Sequence, residues 1–253
     1  MVEVKNLTKR FEDHVVLDDI SLDVKKGENA VVFGRSGTGK SVLLKCIVKL
    51  LIPESGEIIV DGNSIFDIKM KDLNELRKSI GFLFQGSALY DSMSVRENLE
   101  FPLIRNKKSM SAEERQEKVI KALQDVSLED AINKMPDELS GGMKKRIGLA
   151  RTIISEPKLI LYDEPTTGLD PITVKEISQL INDLQKKLNV TSIVVTHDLL
   201  CAQIISERAV VLNEGKIIYD GGLDELTTSN DEFLKDFFTN ENVQAKNRSV
   251  NGK

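Results

Sequence analysis

The sequence has few cysteines and no long apolar run. Its two cysteines, Cys46 and Cys201, lie in apolar contexts without a Cys-x-x-Cys or Cys-His metal-binding motif, which favours buried thiols in a reducing compartment over a disulfide. The apolar runs AVVFG, LILY and SIVVT are far shorter than the roughly 20 residues needed to cross a bilayer. The N-terminal MVEVKNLTKRF lacks the apolar segment of a signal peptide. We therefore expect neither membrane insertion nor secretion.

An excess of positive charge is also absent. The net charge is −5 and the isoelectric point is near 5.3, whereas proteins that bind nucleic acid through its phosphates need a basic face. The same charge balance argues against attachment to anionic lipid by charge alone. We therefore expect no nucleic-acid partner, and we expect any association with a membrane to run through a partner protein.

The pattern of apolar residues predicts a layered α/β fold. The chain has 253 residues, of which 40% are hydrophobic and 30% charged, and this suits one large or two small packed units. The runs VEVKNL, VVLDDISLDV and GEIIVDG predict an antiparallel β portion. Near-continuous apolar runs in NAVVFG, GFLFQ, KLILYDEP and SIVVTHD predict buried central strands with polar residues at their carboxyl ends. RAVVLNEGKIIYDG predicts a hairpin that turns at Asn213 to Lys216.

Helix signals divide the chain further. Asp170 and Pro171 are typical of the N-cap and first residue of a helix, and Ser111 with Glu114 forms a capping box. Strand signals are absent between residues 87 and 157, which predicts an inserted helical subdomain. We predict a nucleotide-binding domain over 1–225 and a C-terminal extension over 226–253 that ends in a frayed polar tail.

A glycine-rich loop carries the strongest chemical signal. GRSGTGKS follows the strand AVVF and precedes an apolar helix, which is the context of a phosphate-binding loop. Its N–H groups and the helix N-terminus would converge on phosphate oxygens, Lys40 would add a positive charge, and Ser41 would ligate Mg²⁺. A flexible glycine turn is the competing interpretation, but it leaves Lys40 and Ser41 unexplained. The predicted triphosphate site comprises Gly34, Arg35, Ser36, Gly37, Thr38, Gly39, Lys40 and Ser41.

Polar residues at strand ends supply the other expected groups. Asp163 is placed to hold Mg²⁺, and Glu164 points elsewhere because neighbouring strand residues alternate in direction, so it is the candidate base for the attacking water. Gln85 is expected to touch the metal or the water, and His197 the γ-phosphate. A single histidine at a strand end is more often structural, so the prediction for His197 depends on its occurrence together with Asp163, Glu164 and Gln85.

The pentapeptide LSGGM has the features of a second anion-binding segment. Ser140 is placed to cap a helix, and Gly141 and Gly142 allow a ligand to approach exposed N–H groups. A well-made helix cap is the competing interpretation. A helix N-terminus contributes only about 0.3 to 1 kcal/mol to an anion's stability, which is too weak to hold a nucleotide alone. The segment suits a second wall that closes on the Gly34 loop of another copy of the chain.

These motifs, in order, resemble the ATP-binding subunits of ABC transporters: GRSGTGKS, Gln85, LSGGM, LILYDEP, GLD at Gly168 to Asp170, and His197. The likeness covers roughly residues 1 to 225. It implies a P-loop NTPase of ABC type, with a RecA-like core sheet, that binds ATP and Mg²⁺ and hydrolyses ATP. It further implies that Phe11, otherwise a core candidate, stacks on the adenine, and that Asp170 borders the nucleotide. Two copies would pair head to tail, so that Ser140 of one meets ATP on the other.

The segment FQGSALYDSMSVRENLEFPL, with LSGGMKKRIGLAR and DEPTTGLDPIT, looks most like the ATPase of the Mla/MCE phospholipid transport systems of double-membraned bacteria. Methionine importers and lipoprotein-releasing systems share it in part. The resemblance implies membrane permease subunits that dock near Gln85 to Leu103, a place at the cytoplasmic face of the inner membrane, and an MCE protein as partner. Whether a small regulatory subunit also binds is left open by the sequence. The sequence also leaves open whether four residues contact the permease or belong to the core of the helical subdomain: Tyr90, Met93, Val95 and Phe101.

Other classes fit less well. ABC-type ATPases that act on DNA or ribosomes carry long coiled-coil insertions, zinc-binding cysteines or a second unit, which this chain lacks. A GTPase would need Asn-Lys-x-Asp, and neither a GTPase nor a small-molecule kinase explains LSGGM. The amphipathic DEFLKDFF is consistent with a C-terminal extension that contacts the opposite copy.

Overall fold

A computed structural model describes residues 1–106, 110–206 and 208–228. The strands in these ranges are β1 Val2–Phe11, β2 His14–Val24, β3 Asn29–Phe33, β4 Ser55–Val60, β5 Asn63–Ser64, β6 Ile80–Leu83, β7 Leu159–Asp163, β8 Thr191–Thr196, β9 Arg208–Asn213 and β10 Lys216–Gly222. The α-helices are α1 Lys40–Ile47, α2 Met70–Lys78, α3 Val95–Asn106, α4 Ala112–Asp125, α5 Gly141–Ile153, α6 Pro171–Leu188, α7 Leu199–Ile205 and α8 Leu223–Thr228. Two 3₁₀ turns, Glu129–Ala131 and Pro136–Glu138, precede α5.

The first sheet is antiparallel, with strand order β2-β1-β4-β5. Val2 of β1 pairs with Val24 of β2 and with Val60 of β4, and all three side chains are buried. Their β-branched side chains suit a pleated surface that is covered on one face. The predicted antiparallel portion is confirmed.

The second sheet has the order β10-β9-β3-β8-β7-β6. Neighbouring strands from β9 to β6 are parallel, and β10 returns antiparallel to β9. One apolar core lies on each face of this sheet, which explains why its strands are almost continuously apolar. The four predicted central strands are confirmed, and the carboxyl ends of parallel strands meet at one edge.

The predicted hairpin is confirmed at β9 and β10. Its two turn residues, Glu214 and Gly215, both have positive φ, at 46° and 76°. This conformation matches the twist of the flanking strands, and glycine adopts it without steric cost.

The middle of the chain is helical. No strand occurs among its described residues between 87 and 157, where α3, α4 and α5 share apolar side chains such as Leu99, Leu123 and Ile147. α4 begins after Ser111, whose side chain accepts the Glu114 N–H while the Glu114 carboxylate accepts the Ser111 N–H. The predicted capping box is therefore present.

The described C-terminal part continues the core past the predicted domain boundary at residue 225. Leu223 and Leu226 of α8 are both buried in the core that contains α6 and α7. The segment DEFLKDFF and the polar tail lie outside the described residues. The domain limits therefore stay a prediction.

Both cysteines are free and buried, as expected. Burial raises the pKa of Cys46 to about 11 and that of Cys201 to about 12, so both thiols stay protonated at neutral pH. In the described ranges, no helix combines the length and apolar character needed to span a bilayer.

Candidate functional site

The glycine-rich loop follows β3 and leads into α1 at the carboxyl edge of the parallel sheet. A Cβ at Gly34 would lie 2.5 Å from Thr38 Oγ1 and 2.6 Å from Leu212 O, so only glycine fits there. Gly39, the N-cap of α1, has φ of 99°, a value that L side chains rarely adopt. Lys40 Nζ donates to Gly34 O at 2.7 Å and to Arg35 O at 3.0 Å. The loop thus folds closely around the Lys40 ammonium, while Arg35, Ser36 and Gly37 are exposed at its tip.

Ser41 and Asp163 meet at this edge. The Ser41 hydroxyl donates to Asp163 Oδ1 at 2.6 Å, across 122 residues of chain. Both are oxygen donors of the kind that Mg²⁺ prefers, and Mg²⁺ in nucleotide sites takes one or two protein ligands together with phosphates and water. The described residues hold no cluster of three or more His, Cys, Asp or Glu side chains that would form an all-protein metal site. The pair therefore fits a nucleotide-bound Mg²⁺.

Glu164 lies between two cationic or potentially cationic groups. Its Oε1 is 3.3 Å from Lys40 Nζ, and its Oε2 is 2.9 Å from His197 Nδ1. Burial raises the pKa of Glu164, but the hydrogen bonds and charges of His197 and Lys40 outweigh this effect, so the pKa lies below its usual value. The side chain is therefore ionised at neutral pH. The structure brings together four predicted site residues here: Lys40, Asp163, Glu164 and His197.

Two contacts of Glu164 were not anticipated from the sequence. The Thr167 hydroxyl donates to Glu164 Oε2 at 3.1 Å, and Lys145 Nζ donates to the backbone Glu164 O at 3.4 Å. Thr167 follows Glu164 by three residues in the EPTTG turn, and this short spacing could have predicted the contact from the sequence. Lys145 lies 19 residues earlier in a run of three cations, and no local pattern singles it out.

Gln85 follows β6 on the same side of the sheet. Its backbone carbonyl accepts a short hydrogen bond from Lys145 Nζ. Its side chain is exposed, and among the described residues it makes no hydrogen bond to Ser41 or Asp163. A metal-binding role of the Gln85 side chain therefore stays a prediction.

The LSGGM segment forms the start of α5, as predicted. Ser140 is the N-cap, and its Oγ accepts the Met143 N–H at 3.3 Å. A Cβ at Gly142 would lie 2.9 Å from Thr173 Cγ2, so α5 begins beside the start of α6. Asp170 caps α6 by accepting the Ile172 and Thr173 N–H groups at 3.1 Å. Among the described residues, Ser140 makes no hydrogen bond to the glycine-rich loop.

Phe11 ends β1 on the antiparallel sheet. Its ring is 44% exposed, and Lys9 Nζ lies 5.1 Å from the ring centroid. An exposed aromatic face is available for stacking, in contrast to the core position that Phe11 would otherwise take.

Comparison with known proteins places this geometry in a family. Residues 17–167 match the family described as ABC transporter, a span that runs from β2 through the glycine-rich loop and LSGGM to the turn after Glu164. The chain belongs to the ABC transporter family. It is an ATPase of that family, with the P-loop α/β fold that the sequence predicted.

Several relatives of this ABC ATPase match nearly all of it. The intermembrane phospholipid transport system ATP-binding protein MlaF of Haemophilus influenzae is 42% identical over 239 residues, which cover 93% of this chain and 90% of MlaF. The probable ribonucleotide transport ATP-binding protein Mkl of Mycobacterium leprae is 39% identical and covers 96% of this chain and 70% of Mkl. The methionine import ATP-binding protein MetN of Campylobacter jejuni is 38% identical, and the match covers 94% of this chain and 75% of MetN.

Solved structures agree with this fold for the ABC ATPase. The ATP-binding cassette MJ0796, in a dimeric post-hydrolysis state bound to ADP and Pi, has a TM-score of 0.81 and 35% identity over 88% of this chain and 99% of its own. CbiO1 from Clostridium perfringens, part of the ABC transporter complex CbiONQ, has a TM-score of 0.82 and 32% identity over 92% of this chain and 93% of its own.

Proposed function

We propose that this ABC transporter ATPase energises phospholipid movement at the inner membrane, as a subunit bound to membrane permeases. The observation that carries the choice of substrate is the match to MlaF, which is similar to this chain at 42% identity over 93% of this chain and 90% of its own. Mkl, at 39%, and MetN, at 38%, cover 70% and 75% of their own lengths. The three matches cover similar shares of this chain, 93% to 96%, and the match to MlaF extends over more of the relative's own length.

The contacts at the sheet edge support specific roles. The glycine-rich loop from Gly34 to Gly39 and Lys40 would bind the phosphates, and Ser41 with Asp163 would hold Mg²⁺, with the Gln85 side chain as a further ligand. The metal, when bound, offsets phosphate charge and orients it. Glu164 is the proposed base because its lowered pKa keeps it able to accept a proton or orient water at neutral pH. His197, at 2.9 Å from Glu164 Oε2, orients that carboxylate and would contact the γ-phosphate.

A head-to-tail dimer would complete the nucleotide site. The N-termini of α5 and α6 lie side by side, and the N–H groups of Gly141 and Gly142 in α5 are available for a ligand on another molecule, whereas Asp170 caps those of Ile172 and Thr173 in α6. We propose that Ser140, Gly141, Gly142 and Asp170 of one copy border the ATP held by the other copy, with Phe11 of that other copy stacked on the adenine. Closure with ATP and reopening after hydrolysis would supply the movement.

A groove beside Gln85 supports permease docking in the segment from Gln85 to Leu103. It has a volume of about 230 Å³ and lies between β6, α3 and α5. Phe82 and Phe84 stack in it with ring centroids 4.2 Å apart, and Arg77, Lys78 and Arg151 also line it. A lining that combines aromatic and basic side chains suits a short partner segment that carries apolar and acidic side chains.

The open choice between docking and core divides residue by residue. Val95 is fully buried and belongs to the helical core. Tyr90 is 41% exposed and packs edge-on against Phe101, with ring centroids 5.1 Å apart. Tyr90 is therefore the residue of this group that we propose for docking.

Affinity purification with lipid analysis tests the proposed substrate. The tagged chain, produced in its native host and extracted in mild detergent, is expected to retain permease subunits, an MCE protein and phospholipid. A variant with Tyr90→Asp and Phe84→Asp is the matched control, because it alters the proposed docking surface and leaves the residues of the ATP site in place. This variant is expected to lose the permease subunits. Recovery of permeases that carry methionine or another small solute, without phospholipid, would contradict the substrate and leave the ATPase assignment intact. A small regulatory protein would appear in the same eluate.

A further inference from the structure

Lys145 is a buried cation for which the roles proposed above have no use. Only 5% of its surface is exposed, and its Nζ donates to the backbone carbonyls of Gln85 and Glu164. A buried ammonium is costly unless it is hydrogen-bonded. Burial lowers the pKa of Lys145, while the negative charges of Glu164 and Asp163 oppose this effect. Its partners therefore belong to two of the proposed catalytic segments.

Helix α5 lies unusually close to the Gln85 loop. A Cβ at Gly148 would lie 2.9 Å from Leu83 Cδ1 and 3.1 Å from Ser87 Cβ, so a larger residue would push the helix away. Lys145 and Gly148 are three residues apart and therefore lie on the same side of α5. The glycine allows the close approach that brings the lysine to the Gln85 carbonyl.

The same side of α5 contacts the loop again one turn later. Arg151 Nη1 donates to Ala88 O at 2.6 Å, and its guanidinium lies 4.8 Å from the Tyr90 ring centroid. Ser87 and Ala88 have φ of 63° and 49°, which is uncommon for residues other than glycine. These strained residues are thus held between two cations of one helix, Lys145 and Arg151.

The second partner of Lys145 is also in a strained conformation. Glu164 has φ of 49° directly after β7. Its N–H donates to Val195 O at 3.0 Å, and its carbonyl accepts from Lys145 at 3.4 Å. Because the position of the Glu164 backbone limits where its carboxylate can lie, these two bonds act together with the side-chain contacts of Lys40, His197 and Thr167 to orient the proposed base.

We propose that Lys145 is a positioning residue: by donating to the carbonyls of Gln85 and Glu164 together, it couples the position of the Gln85 loop on α5 to the orientation of the Glu164 carboxylate. This role rests on the proposed function of Glu164. It differs from the nucleotide-binding role of LSGGM, which belongs to the N-terminus of the same helix. A displacement of α5 or of the loop would then change the rate of hydrolysis without changing nucleotide affinity.

Steady-state kinetics test the coupling. Lys145→Met keeps the length of the side chain and removes the donor, so kcat is expected to fall about 10- to 100-fold while KM stays within about three-fold, as for a misplaced catalytic group. Lys145→Gln or Lys145→Arg retains N–H donors, and at least one is expected to recover most of kcat. Lys121→Met, an exposed lysine on α4, is the matched control. Wild-type kcat in Lys145→Met, or equal losses in all three Lys145 variants, would overturn the proposal.

Hydrogen exchange supplies a readout that needs no nucleotide. Peptides over residues 84–90 and 163–168 are expected to exchange faster in Lys145→Met, with protection elsewhere unchanged and Lys121→Met like wild type. If Lys145→Met does not fold, Lys145→Ala replaces it, because the smaller side chain lets water reach the two carbonyls. Wild-type exchange in both peptides would refute the positioning role even if turnover fell. Failure of Glu164 as base would appear separately, as undiminished hydrolysis in Glu164→Gln.

Discussion

At the scale of single residues, the two adjacent acids at the end of β7, Asp163 and Glu164, have different surroundings. Asp163 accepts from the Ser41 hydroxyl at 2.6 Å, whereas Glu164 contacts Lys40 at 3.3 Å and His197 at 2.9 Å. Burial opposes ionisation of Glu164, but His197 and Lys40 lower its pKa overall. An ionised carboxylate that is held by two neighbours can orient water and accept a proton, but it cannot act as an acid. The contacts therefore support the two roles proposed above, metal ligand for Asp163 and base for Glu164.

Replacing the base by its amide tests this division. We expect Glu164→Gln to lower ATP hydrolysis by at least about 100-fold, the usual contribution of a general base. ATP binding is expected to persist, because Lys40, Ser41 and Asp163 are unchanged, and a closed dimer is expected to accumulate. Phosphate release and size-exclusion chromatography with ATP measure both effects. Glu117→Gln, on the exposed face of α4, is the control. Undiminished hydrolysis in Glu164→Gln would rule out Glu164 as base.

Residues at strand ends were predictable in a way that Lys145 was not. An apolar strand that ends in a polar residue indicates a position at the carboxyl edge of the sheet, and this identified Asp163, Glu164 and His197. Lys145 lies between Lys144 and Arg146 in a helix. Which of the three cations turns inward depends on how α5 packs on the Gln85 loop, and a single sequence does not encode this in any local pattern.

At the scale of elements, the N-terminus of α5 has one observed role, the helix cap, and one proposed role, contact with the nucleotide of a partner. Ser140 caps the helix through the Met143 N–H, and the exposed N–H groups around Gly141 are available to a ligand. A bulky cation at position 140 would remove the cap and block the approach of a partner's nucleotide.

We therefore expect Ser140→Arg to abolish hydrolysis while ATP binding to the monomer is unchanged. Fluorescent-nucleotide titration at low protein concentration measures binding, and phosphate release at high concentration measures turnover. Ser140→Thr keeps the capping hydroxyl and serves as control. Loss of monomer binding in Ser140→Arg would mean that the segment acts on its own chain's nucleotide.

The cap of α4 has a purely structural role. Ser111 and Glu114 satisfy each other's backbone N–H groups at 3.1 and 2.8 Å. Ser111→Ala is expected to lower the free energy of unfolding by about 1 kcal/mol, the usual effect of losing an N-cap, with ATP affinity unchanged. Urea denaturation measures this as a lower midpoint at constant slope. Gln116→Ala, on the exposed face of α4, is expected to change stability by less than about 0.5 kcal/mol. Equal midpoints for Ser111→Ala and wild type would contradict the assigned cap.

Elements with a strong local pattern were predicted well, whereas the limits of the nucleotide-binding domain stay a prediction. The central strands, the hairpin turn and α6 follow from apolar runs, turn residues and the Asp-Pro start. The end of the nucleotide-binding domain has no comparable local pattern in the sequence. Leu223 and Leu226 of α8 are buried in the main core on either side of the predicted limit at residue 225, and their burial depends on contacts with distant elements.

At the scale of the whole molecule, the parallel sheet gathers the phosphate loop, Ser41, Asp163, Glu164 and His197 at one edge. The starts of α5 and α6 lie together elsewhere on the chain, as the 2.9 Å approach of a Gly142 Cβ to Thr173 indicates. Among the described residues, no hydrogen bond joins Ser140 to the glycine-rich loop. Two candidate anion-binding surfaces on one chain that do not meet are the arrangement expected of a two-fold symmetric pair, in which each surface faces the other surface of the partner copy.

Cross-linking between engineered cysteines decides whether the second surface acts across two chains. Ser36 and Ser140 are both exposed, and the native cysteines are buried with raised pKa values, so a double variant with Ser36→Cys and Ser140→Cys has two reactive thiols. In a Glu164→Gln background with ATP, a short bis-maleimide is expected to yield a covalent dimer. Omission of ATP, and each single cysteine variant, are the controls and should stay monomeric. A cross-link within one chain, seen as a faster-migrating monomer whose peptides join residues 36 and 140, would place both walls of the site on the same molecule and contradict the dimer.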